Sequence, residues 1–489
     1  MTSVTTLKAR VIAVASSLAL VSCGGGGGET VDTPVTVTPA PTPAPSASET
    51  PTVLNRVGFF NPAETVSSLT SRMSFGMINA RNPQQVEQSL AAANGTNYKV
   101  KIDFDLLLAQ RADPSAVGRQ YTDSTGASWT KQLPPLSEQK LRRFPSDAAL
   151  VTLIAPYLQV LKAHASNVGT LFLADEPYLN GISKTEMERA GAVIRQELDK
   201  AGLQTVKLGV IFASGMFNAE FAQHLDRASG DYARRLDAYY ERGMAIRNGS
   251  VSDSQFDIAG FDNWISSVSQ SRLTTYDAAG NMYTGGGIPR GFDVVAFDFY
   301  LSTVLLDGIH ENSLSWLASR SPTACSSYAS KAMSAIRPTL SFIQDGPIKQ
   351  GESYQSADRQ ILNGIFTCRM TGVLDLLRQA IQGTSAKIMM ISESSANGVL
   401  EFYSNGSPKT GQPKLLVEAR VLDEVDRGIN FYTAHKSDFT CGLMFFIFND
   451  AHDYSISLEI YGAASLPSVT DRIYKFAAEQ GQGTADSCD

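Results

Sequence analysis

Short apolar runs rich in branched and aromatic residues recur along the chain. They fall at Phe75–Ala80, Tyr98–Asp105, Thr170–Asp175, Lys207–Ala213, Asp293–Tyr300, Thr339–Asp345, Lys387–Glu393 and Gly442–Asp450. Each is nearly continuous rather than alternating, which is what a parallel strand buried on both faces requires. A further strand fits at Arg56–Phe60 or at Phe256–Trp264, so the strand numbering stays open by one. Between many of the runs, apolar positions recur at helical spacing in Ser146–Ala165, Lys184–Ala201, Gln360–Gly383 and Lys414–His435. Lys184–Ala201 places Met187, Ala190, Val193, Ile194 and Leu198 on one stripe and stops at Gly202. Strands alternating with helices imply βαβ units, and eight of them imply an α/β fold of the (β/α)8 barrel type. An open doubly wound sheet is the rival, weakened by the lack of a GxGxxG after any strand. Segments 106–145, 214–290 and 301–335 read as long loop insertions, and Tyr454–Tyr461 as an accessory strand. In a barrel such insertions follow strand C-terminal ends, where active sites are built.

The first residues follow a different pattern. Lys8 and Arg10 precede an apolar stretch, Val11–Val21, interrupted only by Ser16 and Ser17. It is too short to span a bilayer and has the length of a signal-peptide hydrophobic region. It closes on Leu20-Val21-Ser22-Cys23, which resembles the bacterial lipobox. The resemblance implies that Cys23 is lipidated and becomes the mature N-terminus; an ordinary signal peptide with an incidental cysteine is the alternative. Gly24 stands where an inner-membrane retention signal has Asp, so the expected location is the outer membrane of a Gram-negative envelope, on its periplasmic or surface face. Residues 24–52, a glycine run followed by Pro34, Pro39, Pro41, Pro43, Pro45 and Pro51, carry too little apolar surface to offset chain entropy. They read as a tether holding a folded domain, 53–489, away from the lipid.

Composition narrows the partners. A hydrophobic fraction of 43% with 18% charged residues fits a folded globular domain. The net charge of -7, without a Lys/Arg block in the mature chain, argues against binding nucleic acid through its phosphates. Beyond Cys23 the cysteines are Cys325, Cys368, Cys441 and Cys488, an even number that suggests two disulfides in an oxidising compartment. Of the three pairings, Cys325–Cys368 and Cys441–Cys488 are favoured because each joins neighbours along the chain. No CxxC or close Cys/His pair points to a metal. His164, His224, His310, His435 and His452 are scattered without HExxH spacing, and neither Ser214-Gly215 nor Ser394-Ser395 forms GxSxG. No cofactor and no metal are expected, and a monomer is.

The chemistry sits where the strands end. Thr170-Leu-Phe-Leu-Ala-Asp175-Glu176-Pro177 runs from an apolar strand into two carboxylates and a proline that biases Glu176 away from helix. Asp298 and Tyr300, Gln344 and Asp345, Glu393, and Asn449 and Asp450 end other runs. A strand-end acid often caps the next helix, which alone can account for Asp345 and Asp450. Convergence of several acids on one rim instead suits a barrel active site. Tyr178, Trp264, Phe299 and Tyr300 are candidate platforms for sugar rings, although such residues also pack under loops.

Leu171-Phe-Leu-Ala-Asp-Glu-Pro177, with the helix Lys184–Ala201 and the run Val206–Ile211, resembles the strand-four segment of the TIM-barrel glycoside hydrolases of clan A over about 40 residues. There an Asn-Glu-Pro sequence carries the general acid/base, so the resemblance implies that role for Glu176. Asp175 departs from the family's Asn: an ionised Asp accepts hydrogen bonds and cannot donate one to a sugar hydroxyl. The resemblance also implies a nucleophile at the end of strand seven. Glu393 is the favoured candidate; a slip of one strand substitutes Gln344, which cannot attack. Hydrolysis needs one protonated carboxyl and one ionised one across the glycosidic bond. The substrate-contact candidates are Asp175, Tyr178, Trp264, Asp298, Tyr300 and Gln344. The leading expectation is thus an envelope-anchored glycoside hydrolase acting on a polysaccharide or oligosaccharide. The rivals are a non-catalytic carbohydrate-binding or envelope-assembly lipoprotein on a degenerate barrel, and a polysaccharide lyase.

Overall fold

The computed structural model describes residues 56–62, 66–111, 142–178, 182–218, 286–299, 354–396, 414–453 and 458–480. It also describes 120–122, 128–130, 243–247, 249, 251–265, 301, 313–320, 325 and 488. Eight parallel strands close into a barrel: β1 Val57–Phe60, β2 Phe75–Asn79, β3 Lys99–Asp103, β4 Val168–Asp175, β5 Leu208–Ala213, β6 Val294–Asp298, β7 Lys387–Glu393 and β8 Leu443–Phe446. Each strand pairs with its neighbour in sequence, and β1 closes onto β8 through Val57↔Leu443. This is the expected (β/α)8 barrel. Parallel strands require crossovers, and helices supply them: α1 Pro83–Ala93, α2 Asp147–Ala163, α3 Lys184–Lys200, α4 Ser356–Ala380 and α5 Lys414–Ala434, with α6 Pro467–Glu479 after β8. Caps place their starts. Asn82 accepts from the Gln85 amide, and Ser183 and Glu186 form a reciprocal capping box.

Of the two further strands considered, Val57–Phe60 is the first strand of the barrel, and Phe256–Trp264 is not a strand but contributes to the helix Ile258–Ile265. Its Phe261 lies four residues after Asp257, whose carbonyl accepts the Phe261 amide in helical fashion. Thr339–Asp345 lies outside the described residues. β6 pairs directly with β7 from Val294↔Lys387 onward, so no strand stands between them in the barrel. The count therefore makes Val168–Asp175 the fourth strand and Lys387–Glu393 the seventh. The last run is shorter than its hydrophobicity suggested: β8 ends at Phe446, with a cis peptide to Ile447. Asp450 lies beyond the barrel, accepting from the Gly462 amide and the Ser465 hydroxyl, and holds the turn Ala463–Ser465. Within the predicted accessory strand, Leu458–Ile460 pairs antiparallel to Ala451–Asp453.

Side chains alternate across each strand. Phe75, Met77, Phe172, Ile211, Val294, Ala296, Met389, Ile391, Met444 and Phe446 fill the barrel interior, while Ile78, Val100, Ile102, Val210, Val295, Ile388 and Met390 pack outward under the helices. At the floor, near the N-terminal ends of the strands, Cys488 packs with the interior residues. Cys488 is disulfide-bonded to Cys441, and its carbonyl accepts from the Thr170 hydroxyl. The fully buried Lys101 ammonium lies 3.5 Å from that hydroxyl and over the Phe75 ring. The second disulfide joins Cys325 to Cys368 on α4. Both pairs are those favoured from the sequence. No helix among the described residues is long and apolar enough to cross a membrane.

Candidate functional site

Because the eight strands are parallel, their C-terminal ends share one mouth. Alternation decides which end residues face into it. Asn79 continues the inward set Phe75 and Met77; Asp298 continues Val294 and Ala296; Glu393 continues Met389 and Ile391. Asp103 follows the inward Lys101 on β3. β4 would break this rule, since simple alternation from Phe172 puts Ala174 inside and Asp175 outside. A bulge reverses it: Phe172 pairs with Gly209 and Asp175 with Ile211, three residues against two. Leu173 and Ala174 both join the outer shell, and Asp175 stands beside the inward Ile211. Re-aiming a side chain at a barrel rim is a recurrent use of such bulges.

Hydrogen bonds then fix the rim between β3 and β4. The Asp105 amide donates to Asp103 Oδ1 at 2.9 Å, and the Asp175 amide donates to Asp105 Oδ1 at 3.1 Å. Glu176 follows directly. It is half-buried, with φ +48, and its amide donates to the Ile211 carbonyl. A non-glycine residue in the left-handed region costs on the order of 1–3 kcal/mol, and such outliers concentrate at functional sites. Asn61 after β1 and Ser214 after β5 share that conformation, so three of the four non-glycine positive-φ residues among the described residues stand at this mouth.

Glu393 is 3% exposed. Its Oε1 accepts from the Ser394 amide (3.1 Å), the Ser395 amide (2.8 Å) and the Ser395 hydroxyl (2.6 Å). Its Oε2 has no hydrogen-bond partner among the described residues. Burial pushes its pKa up to about 8; the Ser395 donors oppose that shift and the Glu424 carboxylate adds to it. Glu424 belongs to α5, which approaches β7 so closely that a Cβ on Gly428 would collide with the Ser392 hydroxyl. One turn earlier on the same helix face, Glu424 is buried and ion-paired with Arg427 at 3.3 Å, and Arg427 also binds Asp423 at 2.7 Å and the Asn363 side chain.

The structure therefore brings Asp175, Glu176, Asp298 and Glu393 to one mouth. Tyr178 is 2% exposed; its hydroxyl donates to the Gly287 carbonyl at 2.6 Å and its ring packs against Phe212, which makes it a support of the β4 loop rather than an open platform. Phe299 is likewise buried, against Phe366 and under the Arg369 guanidinium. Trp264 belongs to the helix Ile258–Ile265, its side chain outside the described residues, as are Tyr300, Gln344 and Cys23. Sequence reasoning passed over Asn79 and Asp103, although both end apolar runs. Glu424 gave no signal, because only the packing of α5 on β7 brings it behind Glu393.

No family model matches the chain, and no curated protein does. Among solved structures, the GH53 catalytic domain of Ignisphaera aggregans is 11% identical, with a TM-score of 0.34 over 86% of this chain and 90% of that one. A β-glucosidase from Exiguobacterium marinum is 10% identical, with a TM-score of 0.36 over 85% and 86%. A glycoside hydrolase family 5 enzyme from Prevotella bryantii B14 is 9% identical, with a TM-score of 0.34 over 89% and 100%. Scores this low add nothing to the geometry above, which by itself defines a (β/α)8 barrel with carboxylates of β4, β6 and β7 at the C-terminal ends of its strands.

Proposed function

We propose that the chain is a glycoside hydrolase that cleaves a polysaccharide or oligosaccharide with Glu176 and Glu393. The observation that supports this most is the placement of Glu176 immediately after the fourth strand and of Glu393 at the end of the seventh, on one mouth. Strands three apart in an eight-stranded barrel stand roughly 14 Å from each other, from a spacing of about 4.8 Å and a tilt of about 36°. With both glutamate side chains turned inward by about 4 Å, the gap between their carboxyls would be roughly 6 Å, on the order of the 5–9.5 Å that separates the carboxyl pairs of glycosidases.

Glu176 acts as the proton donor to the leaving oxygen. Glu393 is held by three donors on Oε1, which leaves Oε2 to attack the anomeric carbon or to activate water. With its pKa near 8, the ionised form is a minority at neutral pH, so kcat/KM rises with pH through about 8. A profile that instead falls through about 8 exchanges the two roles. Asp175, turned inward by the bulge, accepts from a sugar hydroxyl. The E176Q variant, tested on a panel of α- and β-linked polysaccharides, retains binding and loses release of reducing ends. Unchanged release overturns the assignment, and binding without release by the wild type favours the non-catalytic alternative.

The N-terminal sequence supports export in this reading: a signal peptide over 1–23, a lipid on Cys23 and a tether over 24–52 would anchor the barrel at the outer membrane. Changing Cys23 to Ala moves the protein from the membrane pellet to the soluble fraction; an unchanged distribution contradicts the anchor.

A further inference from the structure

Buried polar side chains are normally hydrogen-bonded, so those without a partner need a physical reason. Among the described residues, four such residues stand at the C-terminal ends of the barrel strands: Asn79 on β2, Ser214 after β5, Glu393 on β7 and Ser394 directly after it. Asn79 is the extreme case. It is 2% exposed, and neither its amide nitrogen nor its amide oxygen has a partner among the described residues. Its backbone accounts for none of this: the Asn79 carbonyl already accepts from the Arg81 amide. The side chain continues the inward set Phe75 and Met77, and its register partner on the next strand is Asp103. Asp103 Oδ1 is occupied by the Asp105 amide, so that carboxylate is fixed in place beside the free amide.

We propose that Asn79, with Asp103 beside it, forms a recognition site for a hydroxyl of a neutral pyranose bound in the barrel mouth. This rests on the glycosidase reading and extends it to residues of β2 and β3. An amide presents a donor and an acceptor side by side, and a sugar hydroxyl both donates and accepts. Desolvation of Asn79 is already built into the unliganded fold, so a hydroxyl at the matching position recovers hydrogen bonds there, whereas an epimer lacking it leaves the amide unpaired. Sites built to pair with a hydroxyl discriminate by large factors for this reason. Asn79 thus selects among epimers.

The test compares wild type, N79L and N79A with the methyl and 4-nitrophenyl β-D-glycosides of glucose, galactose and mannose. Leu nearly matches Asn in shape without polar atoms. In the absence of sugar, N79L melts higher than wild type by a few degrees, roughly, because an unpaired amide is removed. For the epimer that wild type prefers, both variants lose the methyl-glycoside melting shift. Their kcat/KM on the 4-nitrophenyl glycoside falls at least tenfold, and the preference among epimers narrows. A lower melting point for N79L together with an intact glycoside shift in N79A shows that the amide serves the fold and overturns the site. Hydrolysis that both variants leave unchanged overturns the site while the glycosidase reading stands. A wild-type protein that no glycoside shifts and that cleaves none overturns the site together with that reading.

Discussion

Replacing Glu393 by Gln isolates the most unusual electrostatic feature of the barrel. Burial raises the Glu393 pKa from 4.5 to about 8. Between those values the folded protein keeps a proton that the unfolded chain releases, so stability falls as pH rises across that window. The contribution is complete below 4.5 and is lost as pH climbs to about 8. A slope of about 1.4 kcal/mol per pH unit over three units, pH 5 to 8, amounts to about 4 kcal/mol. Gln does not titrate. Its oxygen can still accept from Ser394 and Ser395, and its NH2 takes the place of the unpartnered Oε2–H, so at pH 5 the variant stays within about 1–2 kcal/mol of wild type. Urea unfolding of both proteins at pH 5, 6.5 and 8, with disulfides intact, reads the difference from the midpoints at equal slope. The stability of E393Q relative to wild type rises by about 4 kcal/mol from pH 5 to 8. Parallel pH curves for the two proteins would refute a protonated, buried Glu393.

Other substitutions probe the supporting parts. E424Q removes a carboxylate that adds to the burial-driven rise of the Glu393 pKa, so the rising limb of kcat/KM moves modestly to lower pH; an unmoved limb contradicts coupling between α5 and β7. E176G relieves the left-handed backbone at φ +48 and raises stability by about 1 kcal/mol while abolishing hydrolysis, as unfolding and turnover assays will show. Changing Cys441 and Cys488 to Ser removes a bridge of sequence separation 47 and lowers stability by about 2–4 kcal/mol in denaturant titration. G428A forces α5 away from Ser392 and costs about 1–3 kcal/mol, with loss of the Glu393 pH signature.

The barrel was legible because its strands are buried on both faces, and a short, continuous apolar run such as Lys387–Glu393 suits little besides such a strand. What misled was length and edge. Val57–Phe60 is only four residues long and contains Gly58, so it ranked below Thr339–Asp345, yet it is the strand that completes the barrel. That exchange also makes the strands of Glu176 and Glu393 the fourth and seventh, which sequence counting alone left open. Glu176 and Glu393 were visible as acids at the ends of apolar runs. The inward aim of Asp175 was not, since it depends on one extra residue in β4 relative to β5. Two of the aromatic candidates are supports for a general reason: a ring at a strand end is as useful under a loop as above one, and Tyr178 and Phe299 are both covered, while the side chains of Trp264 and Tyr300 lie outside the described residues. Asn79 was overlooked because an amide at a strand end is commonplace until its surroundings show that nothing among the described residues pairs with it.

The central claim is that Glu176 and Glu393 work as one unit on a glycosidic bond. Its most direct test is reducing-end release by wild type, E176Q, E393Q and the double variant, measured side by side at pH 8 on the polysaccharide that wild type degrades. The account predicts a loss of on the order of 100-fold or more in each single variant, with the double variant scarcely worse than the more damaged single one, as residues acting together require. Release at the wild-type rate by either single variant would contradict it.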